Sequence, residues 1–162
     1  MIPNLIVRSA TLADVPSLFE LIKALAEYEK LSHAVTGSTQ SLASHLFGEK
    51  TYAEAILAEL SGKAIGFALF FHNYSTFLTQ PGIYLEDLFV LPEYRGKGIG
   101  KALLVEVASI AVSRGCGRLE WSVLDWNAPA IAFYQRMGAD VLPDWRICRV
   151  TGENLSDLAT RE

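Results

Sequence analysis

The stretch YLEDLFVLPEYRGKGIGKALL, Tyr84 to Leu104, constrains this chain more than any other, because it reads in succession as a strand, a turn and the mouth of a helix. Tyr84 to Leu91 has the apolar, aromatic and β-branched character of a buried strand, yet it carries two adjacent carboxylates, Glu86 and Asp87, which burial penalises. Such a breach points to function. Leu91-Pro92-Glu93-Tyr94 turns the chain, and Gly96, Gly98 and Gly100 then precede a helical pattern with Leu103, Val107, Ile110 and Ala111 on one face. The first amides of a helix have no intrahelical acceptors and sit at the positive end of its dipole. With Arg95 and Lys97 nearby they form a natural cradle for a pyrophosphate.

Spacing excludes the two best-known phosphate loops. A P-loop has four residues between its first glycine and Gly-Lys-Ser/Thr, whereas only three separate Gly96 from Gly100-Lys101, and Ala102 stands where a hydroxyl is needed. The dinucleotide fingerprint fails because its third glycine would fall on Lys101. What remains, Arg95-x-x-Gly98-x-Gly100 after an acidic strand, resembles the acyl-CoA signature of the GNAT superfamily of N-acetyltransferases.

The 162 residues suit one domain, 1–162, with a core of its own. Half the chain is hydrophobic (51%) and a fifth is charged (20%), the balance of a soluble globular protein, and no apolar run nears the roughly 18 residues of a membrane span. The start, MIPNLIVRSATLADV, has neither the basic opening nor the apolar core of a secretory signal, so a cytoplasmic location is expected. Cys116 and Cys148 are too isolated for a disulfide framework, and with three scattered histidines they offer no metal cluster. A net charge of −4 lacks the basic stripe of a nucleic-acid surface.

Leu5 to Arg8 reads as a first strand. Thr11 to Asp14 opens a helix like a capping box, with Val15, Leu18, Phe19, Ile22, Leu25 and Ala26 on one face to about Glu29. Pro16 would delete a hydrogen bond five residues past a Thr11 cap, so the regular helix is expected from Asp14. Glu27 and Glu29 oppose the dipole at its far end, a position that a bound amine would justify. Val35 to Gln40 reads as a polar connection and Ser41 to Phe47 as a short helix. Tyr52 to Leu60 and Lys63 to Tyr74 form a hairpin about Ser61-Gly62. Asn73 to Gly82 reads as a loop with a Pro81-Gly82 turn, whose Tyr74 and Phe77 either wall a pocket or pack beneath it. After the central helix, Arg118 to Leu124 forms a strand in a right-handed parallel crossover. Asn127 caps a helix with Pro129 in its first turn, and Ala130, Phe133, Tyr134 and Met137 share a face before Gly138. Val141 and Trp145 to Val150 read as strand, and Asn154 to Ala159 as a last helix. The fold class is α/β with a mixed sheet: antiparallel N-terminal strands lead to a parallel pair around the glycine-opened helix.

The whole chain resembles the spermidine/spermine N-acetyltransferase branch of that superfamily, which includes thialysine N-acetyltransferases, through LIKALAEYE, YLEDLFVLPEYRGKGIG, VLDWNAPAIAFYQRMGA and Trp145-Arg146. The resemblance implies acetyl-CoA as donor, a primary amine of a small molecule as acceptor, and a homodimer whose subunits share acceptor sites. It places pantetheine and the acetyl carbonyl along the backbone of Leu88, Phe89 and Val90. The pyrophosphate falls on Arg95, Gly96, Lys97, Gly98, Ile99, Gly100 and Lys101, and the lower cofactor on Asn127, Ala128, Pro129 and Ala130. Tyr134 becomes the acid for the departing thiolate. Tyr28, Glu29 and Glu86 match acceptor-binding positions, as do Glu120, Trp121 and Ser122 with less identity. The loop after Gly138 is shorter than in the polyamine enzymes, leaving Asp144 as the candidate for their later acidic contact.

Chemistry asks for the same residue types. An alkylammonium of pKa near 10.4 must lose a proton before attack, at about 4 to 5 kcal/mol at pH 7. Glu86 on its apolar strand is either a base of raised pKa, acting directly or through water, or a structural ion-pair partner. Backbone amides of the strand would polarise the acyl carbonyl, and Tyr134 is either the proton donor or a core tyrosine. Besides a small-amine acetyltransferase, a protein N-terminal or lysine acetyltransferase and a non-catalytic CoA-binding sensor fit these motifs.

Overall fold

The computed structural model describes residues 2–161, and the chain falls into two compact units, 1–122 and 123–162. The first unit holds five strands, the central ones apolar runs buried on both faces: β1 (Leu5–Ser9), β2 (Glu54–Leu60), β3 (Lys63–Ser75), β4 (Gln80–Val90) and β5 (Leu119–Glu120). They hydrogen-bond in the order β1-β2-β3-β4-β5. The first four are antiparallel, and β4 and β5 pair in parallel. The unit's helices are α1 (Val15–Tyr28), α2 (Thr39–Phe47) and α3 (Ile99–Ser113).

Alternation divides the sheet between these helices. Ala55, Leu57, Phe67 and Phe89 turn toward Leu18 and Leu21 of α1 and Leu46 of α2, closing a buried cluster. A fully buried side chain such as Phe67 is worth about 2 to 3 kcal/mol relative to exposure. On the other side α3 buries Ile99, Leu103, Leu104, Val107 and Ala111. Gly66 lets it close on the sheet, since a Cβ there would lie 3.2 Å from Val90 Cγ2 and 3.4 Å from Leu103 Cδ1.

The rear of α3 is strapped down. Its capping residue Arg114 donates to both carboxylate oxygens of Glu54 on β2, at 2.6 and 2.8 Å, and to Nε2 of His72 on β3 at 3.1 Å. The other ring nitrogen, Nδ1, donates to the Gly82 carbonyl on β4, at 3.1 Å. At the other end of the sheet, Arg8 joins Asp14 and Glu59 through bonds of 2.7 to 3.0 Å.

Several local expectations change. Thr11 donates its N–H and hydroxyl to Asp14 Oδ2, at 2.7 and 2.9 Å. A short 3-10 turn, Leu12–Asp14, then delays α1 to Val15, so Pro16 falls in the first turn where no donor is missed. The second helix starts at Thr39, not Ser41, because Ser38 Oγ accepts the Ser41 N–H. The strand expected from Tyr52 begins at Glu54.

The expected 73–82 loop is mostly ladder. β3 and β4 pair out to Ser75 and Gln80, and a tight turn remains, with Thr79 at φ 53° and the Leu78 N–H held by Ser75 Oγ. Pro81-Gly82 is strand because Pro81 lies near the hairpin end and Gly82 admits a close neighbour: a Cβ there would strike Asn73 Oδ1 and lie 3.1 Å from the Arg118 carbonyl. Conversely, the strand expected at Arg118–Leu124 shrinks to Leu119–Glu120.

In the second unit, α4 (Ala128–Arg136) and α5 (Glu153–Ala159) are helical as expected. Trp145–Val150 forms no ladder among the described residues, and Trp145 and Ile147 stay 79% and 68% exposed. Alternation alone does not make a strand without an edge to join. No helix among the described residues is long and apolar enough to cross a membrane.

Candidate active site

β4 changes character at Glu86. Leu69 of β3 pairs with Asp87 and Phe70 with Leu85, so Glu86 is an extra residue, a bulge, with no partner across the ladder. Bulges bend a strand and re-aim its side chains, and they concentrate beside active sites. Here the bulge exposes Glu86 and leaves Asp87 half-buried.

The bulge also marks where β4 loses its other neighbour. The parallel ladder to β5 comprises Ile83–Leu119 and Tyr84–Glu120. Beyond it, the Leu91 N–H donates to the Ile65 carbonyl at 2.9 Å on the β3 side. A trans peptide points its C=O and N–H in opposite directions, so the Val90 carbonyl faces the open edge, and strand alternation turns the Leu88 amide the same way. Leu88 to Val90 therefore lie along an unzipped edge.

Three carboxylates share one electrostatic field here. The Asp87 carboxyl is pushed up to about 7, first by burial and then by the charges of Glu86 and Glu29. Glu29, the residue capping the end of α1, is raised by burial. Burial thus falls on Asp87, where the sequence pointed to Glu86. The missed signal was register: adjacency shows two acids, and only the bulge decides which is enclosed. Beside them the Tyr28 ring meets Phe89 at 6.5 Å between centroids.

The glycine turn leaves the mouth of α3 open. Gly96 and Gly98 have φ of 74° and 82°, a left-handed backbone that favours glycine. No atom lies within 4 Å of a Cβ added at either. Gly98 caps α3 without a side-chain hydrogen bond, no acid occupies the first turn, and Gly100 lies within the helix. The first helical bond runs from the Ala102 N–H to the Gly98 carbonyl. The N–H groups of Ile99, Gly100 and Lys101 are therefore left over for an anion, with Lys97 and Lys101 beside them. These residues fit a diphosphate. Arg95 instead folds back, with Nε donating to the Val90 carbonyl at 2.8 Å.

The other expected acceptor residues are committed locally. Glu120 Oε1 accepts from Arg118 Nε at 2.9 Å and Asn73 Nδ2 at 3.0 Å, and Ser122 Oγ meets the Tyr84 hydroxyl at 2.8 Å. Trp121 is half-buried between them in sequence. In the second unit Asn127 is buried, and its Oδ1 accepts the Ala130 N–H at 3.3 Å, starting α4 with Ala128 and Pro129 in the first turn. Tyr134 is half-buried on that helix, its ring 5.3 Å from Phe133. Asp144 is exposed.

An antiparallel sheet that opens into a short parallel pair, a bulged strand at the opening and a glycine-capped helix mouth define an acyltransferase of the kind fed by a nucleotide thioester. Residues 19–139 match the acetyltransferase (GNAT) family across the boundary between the two units, and the chain belongs to that family. It is 36% identical over 166 residues to mouse thialysine N-epsilon-acetyltransferase, covering 96% of this chain and 97% of the relative. It is also 36% identical over 194 residues to an L-ornithine N5-acetyltransferase of Arabidopsis thaliana, covering 92% and 85%. Among solved structures, an integron cassette protein from the mobile metagenome of V. cholerae superposes with a TM-score of 0.81 at 28% identity, covering 98% and 99% of the two chains.

Proposed function

We propose that the protein transfers acetyl from acetyl-CoA to the primary amine of a small molecule, a thialysine-, ornithine- or lysine-like amino acid or a polyamine. The observation that carries this reading is the coupling of Glu29, Glu86 and Asp87 beside the open edge of β4. A cation drawn there meets negative charge from the end of α1 and from the bulge together. The match with amine acetyltransferases of amino acids favours that class of acceptor.

Acetyl-CoA would supply the activated acetyl thioester, held by the amides of Ile99, Gly100 and Lys101 in the turn from Gly96, with Lys97 and Lys101 as counter-charges and Leu88–Val90 along the edge. Asn127 to Ala130 would hold its lower part. Tyr28, Glu29 and Glu86 orient the ammonium, and Glu86 takes its proton, directly or through water, so that nitrogen carries a lone pair. A pKa near 7 makes Asp87 a suitable store for that proton at neutral pH. Outward N–H groups of Leu88 and Val90 polarise the acyl carbonyl. As the amide bond forms and the C–S bond breaks, the nitrogen would shed its second proton to water while Tyr134 would give its phenolic proton to the thiolate and be reprotonated from solvent. We also propose that two copies pair in solution, as the exposed apolar Val105, Val112, Trp145 and Ile147 favour; light scattering at the monomer mass would refute it.

The test is thiol release from acetyl-CoA with thialysine, ornithine, lysine, spermidine, spermine and putrescine. Turnover is expected with the amino acids, and release with none of the six overturns the assignment.

A further inference from the structure

We propose that Arg95 is a positioning residue for the acceptor amine, a peg that fixes the end of α1 against β4, rather than a ligand of the donor's phosphates. The proposal rests on the function proposed above. By sequence Arg95 stands with the phosphate turn. Its side chain, however, makes three contacts on β4 and the end of α1, with the Val90 carbonyl and the Tyr28 and Phe89 rings.

Nε donates to the Val90 carbonyl at 2.8 Å, taking the last outward-facing acceptor of the open edge. The guanidinium carbon sits 4.2 Å from the Tyr28 ring centroid and 5.3 Å from that of Phe89. Each of these rings has a member of the acidic group close by in sequence. Tyr28 is the last residue of α1 and precedes Glu29, while Phe89 lies two positions after Asp87. A planar cation over both rings therefore sets the separation of Glu29 from the bulge. Lys97 and Lys101 remain exposed at the glycine mouth and supply positive charge there without Arg95.

A residue of this kind changes how well the amine is held and leaves the donor's affinity alone. Arg95→Met keeps the stem but removes the Nε donor and the charge. Arg95→Lys keeps the charge a phosphate would need but cannot donate to Val90 while lying flat on Tyr28. For both variants the KM for thialysine is expected to rise about tenfold while the KM for acetyl-CoA stays within about twofold. Calorimetric binding of CoA to the free protein should be unchanged, and thermal melts establish that each variant is folded. A tenfold weaker CoA affinity with an unchanged amine KM overturns the proposal, as does an equal rise in both constants or no change in either. If Arg95→Met is unfolded, Arg95→Lys decides alone, and full recovery of amine KM by lysine refutes the peg. A wild-type enzyme that acetylates no amine defeats the proposed function; a working enzyme whose variants fail on the donor side defeats only this inference.

Discussion

Replacing Asp87 with asparagine keeps the side chain's shape and removes the charge that its surroundings resist. The folded state holds the Asp87 proton up to about 7, against an ordinary 3.8. At 1.36 kcal/mol per pKa unit, ionising it in place costs about 4 kcal/mol relative to the unfolded chain. The sign follows from proton counting. Between these two pKa values the folded protein binds more protons than the unfolded one, so this contribution is fully present below about pH 4. It drains away as pH rises through 7. The amide introduced by Asp87→Asn does not titrate, so the stability advantage of the variant should grow by about 2.5 kcal/mol between pH 5 and 8. Urea unfolding of both proteins at pH 5, 6, 7 and 8, with equal m-values, measures this directly. A gap that stays flat across the range refutes the enclosure of Asp87 by its neighbours. Because the three carboxylates repel one another, Glu29→Gln should also lower the Asp87 midpoint.

Tyr134→Phe is expected to lower kcat by about a hundredfold while CoA binding persists, as read by turnover and calorimetry; undiminished turnover would reassign the proton donor. Gly98→Ala forces a Cβ into a left-handed backbone at φ 82° and should lower stability by about 1 kcal/mol in urea unfolding while raising the KM for acetyl-CoA. Asp14 is held well below the usual carboxylate range by Arg8 and then by Thr11, so its contribution exists above about pH 4 and is lost as pH falls. Asp14→Asn should destabilise by about 2 kcal/mol at pH 7 and by less at pH 3, as urea unfolding at the two pH values would show.

Much of the fold was legible where local chemistry decides. Ser61-Gly62 specified its hairpin, Asn127 its cap, and the glycines after Tyr94 the start of α3, because each acts through its own backbone. Positions decided by a distant partner were not legible. Pro81 and Gly82 read as a turn until Asn73 and the Arg118 carbonyl are seen pressing on Gly82. The bulge at Glu86 depends on the pairing offset between Leu69 and Phe70, which no local pattern carries, so the acidic pair was visible but not which member is enclosed. Arg95 shows the same limit: its reach back to the Val90 carbonyl and the Tyr28 ring of α1 is carried by no local pattern.

The strap behind α3 carries a mechanical consequence. At 1.5 Å per residue the 15-residue helix is about 22 Å long, a stiff rod seated along its length by buried Ile99, Leu103, Val107 and Ala111. Glu54, His72 and Arg114 hold the rear, and any slack there would tilt the far tip. Residues that resemble ordinary exterior ion pairs thus share with that buried seam the aim of a mouth about two nanometres away.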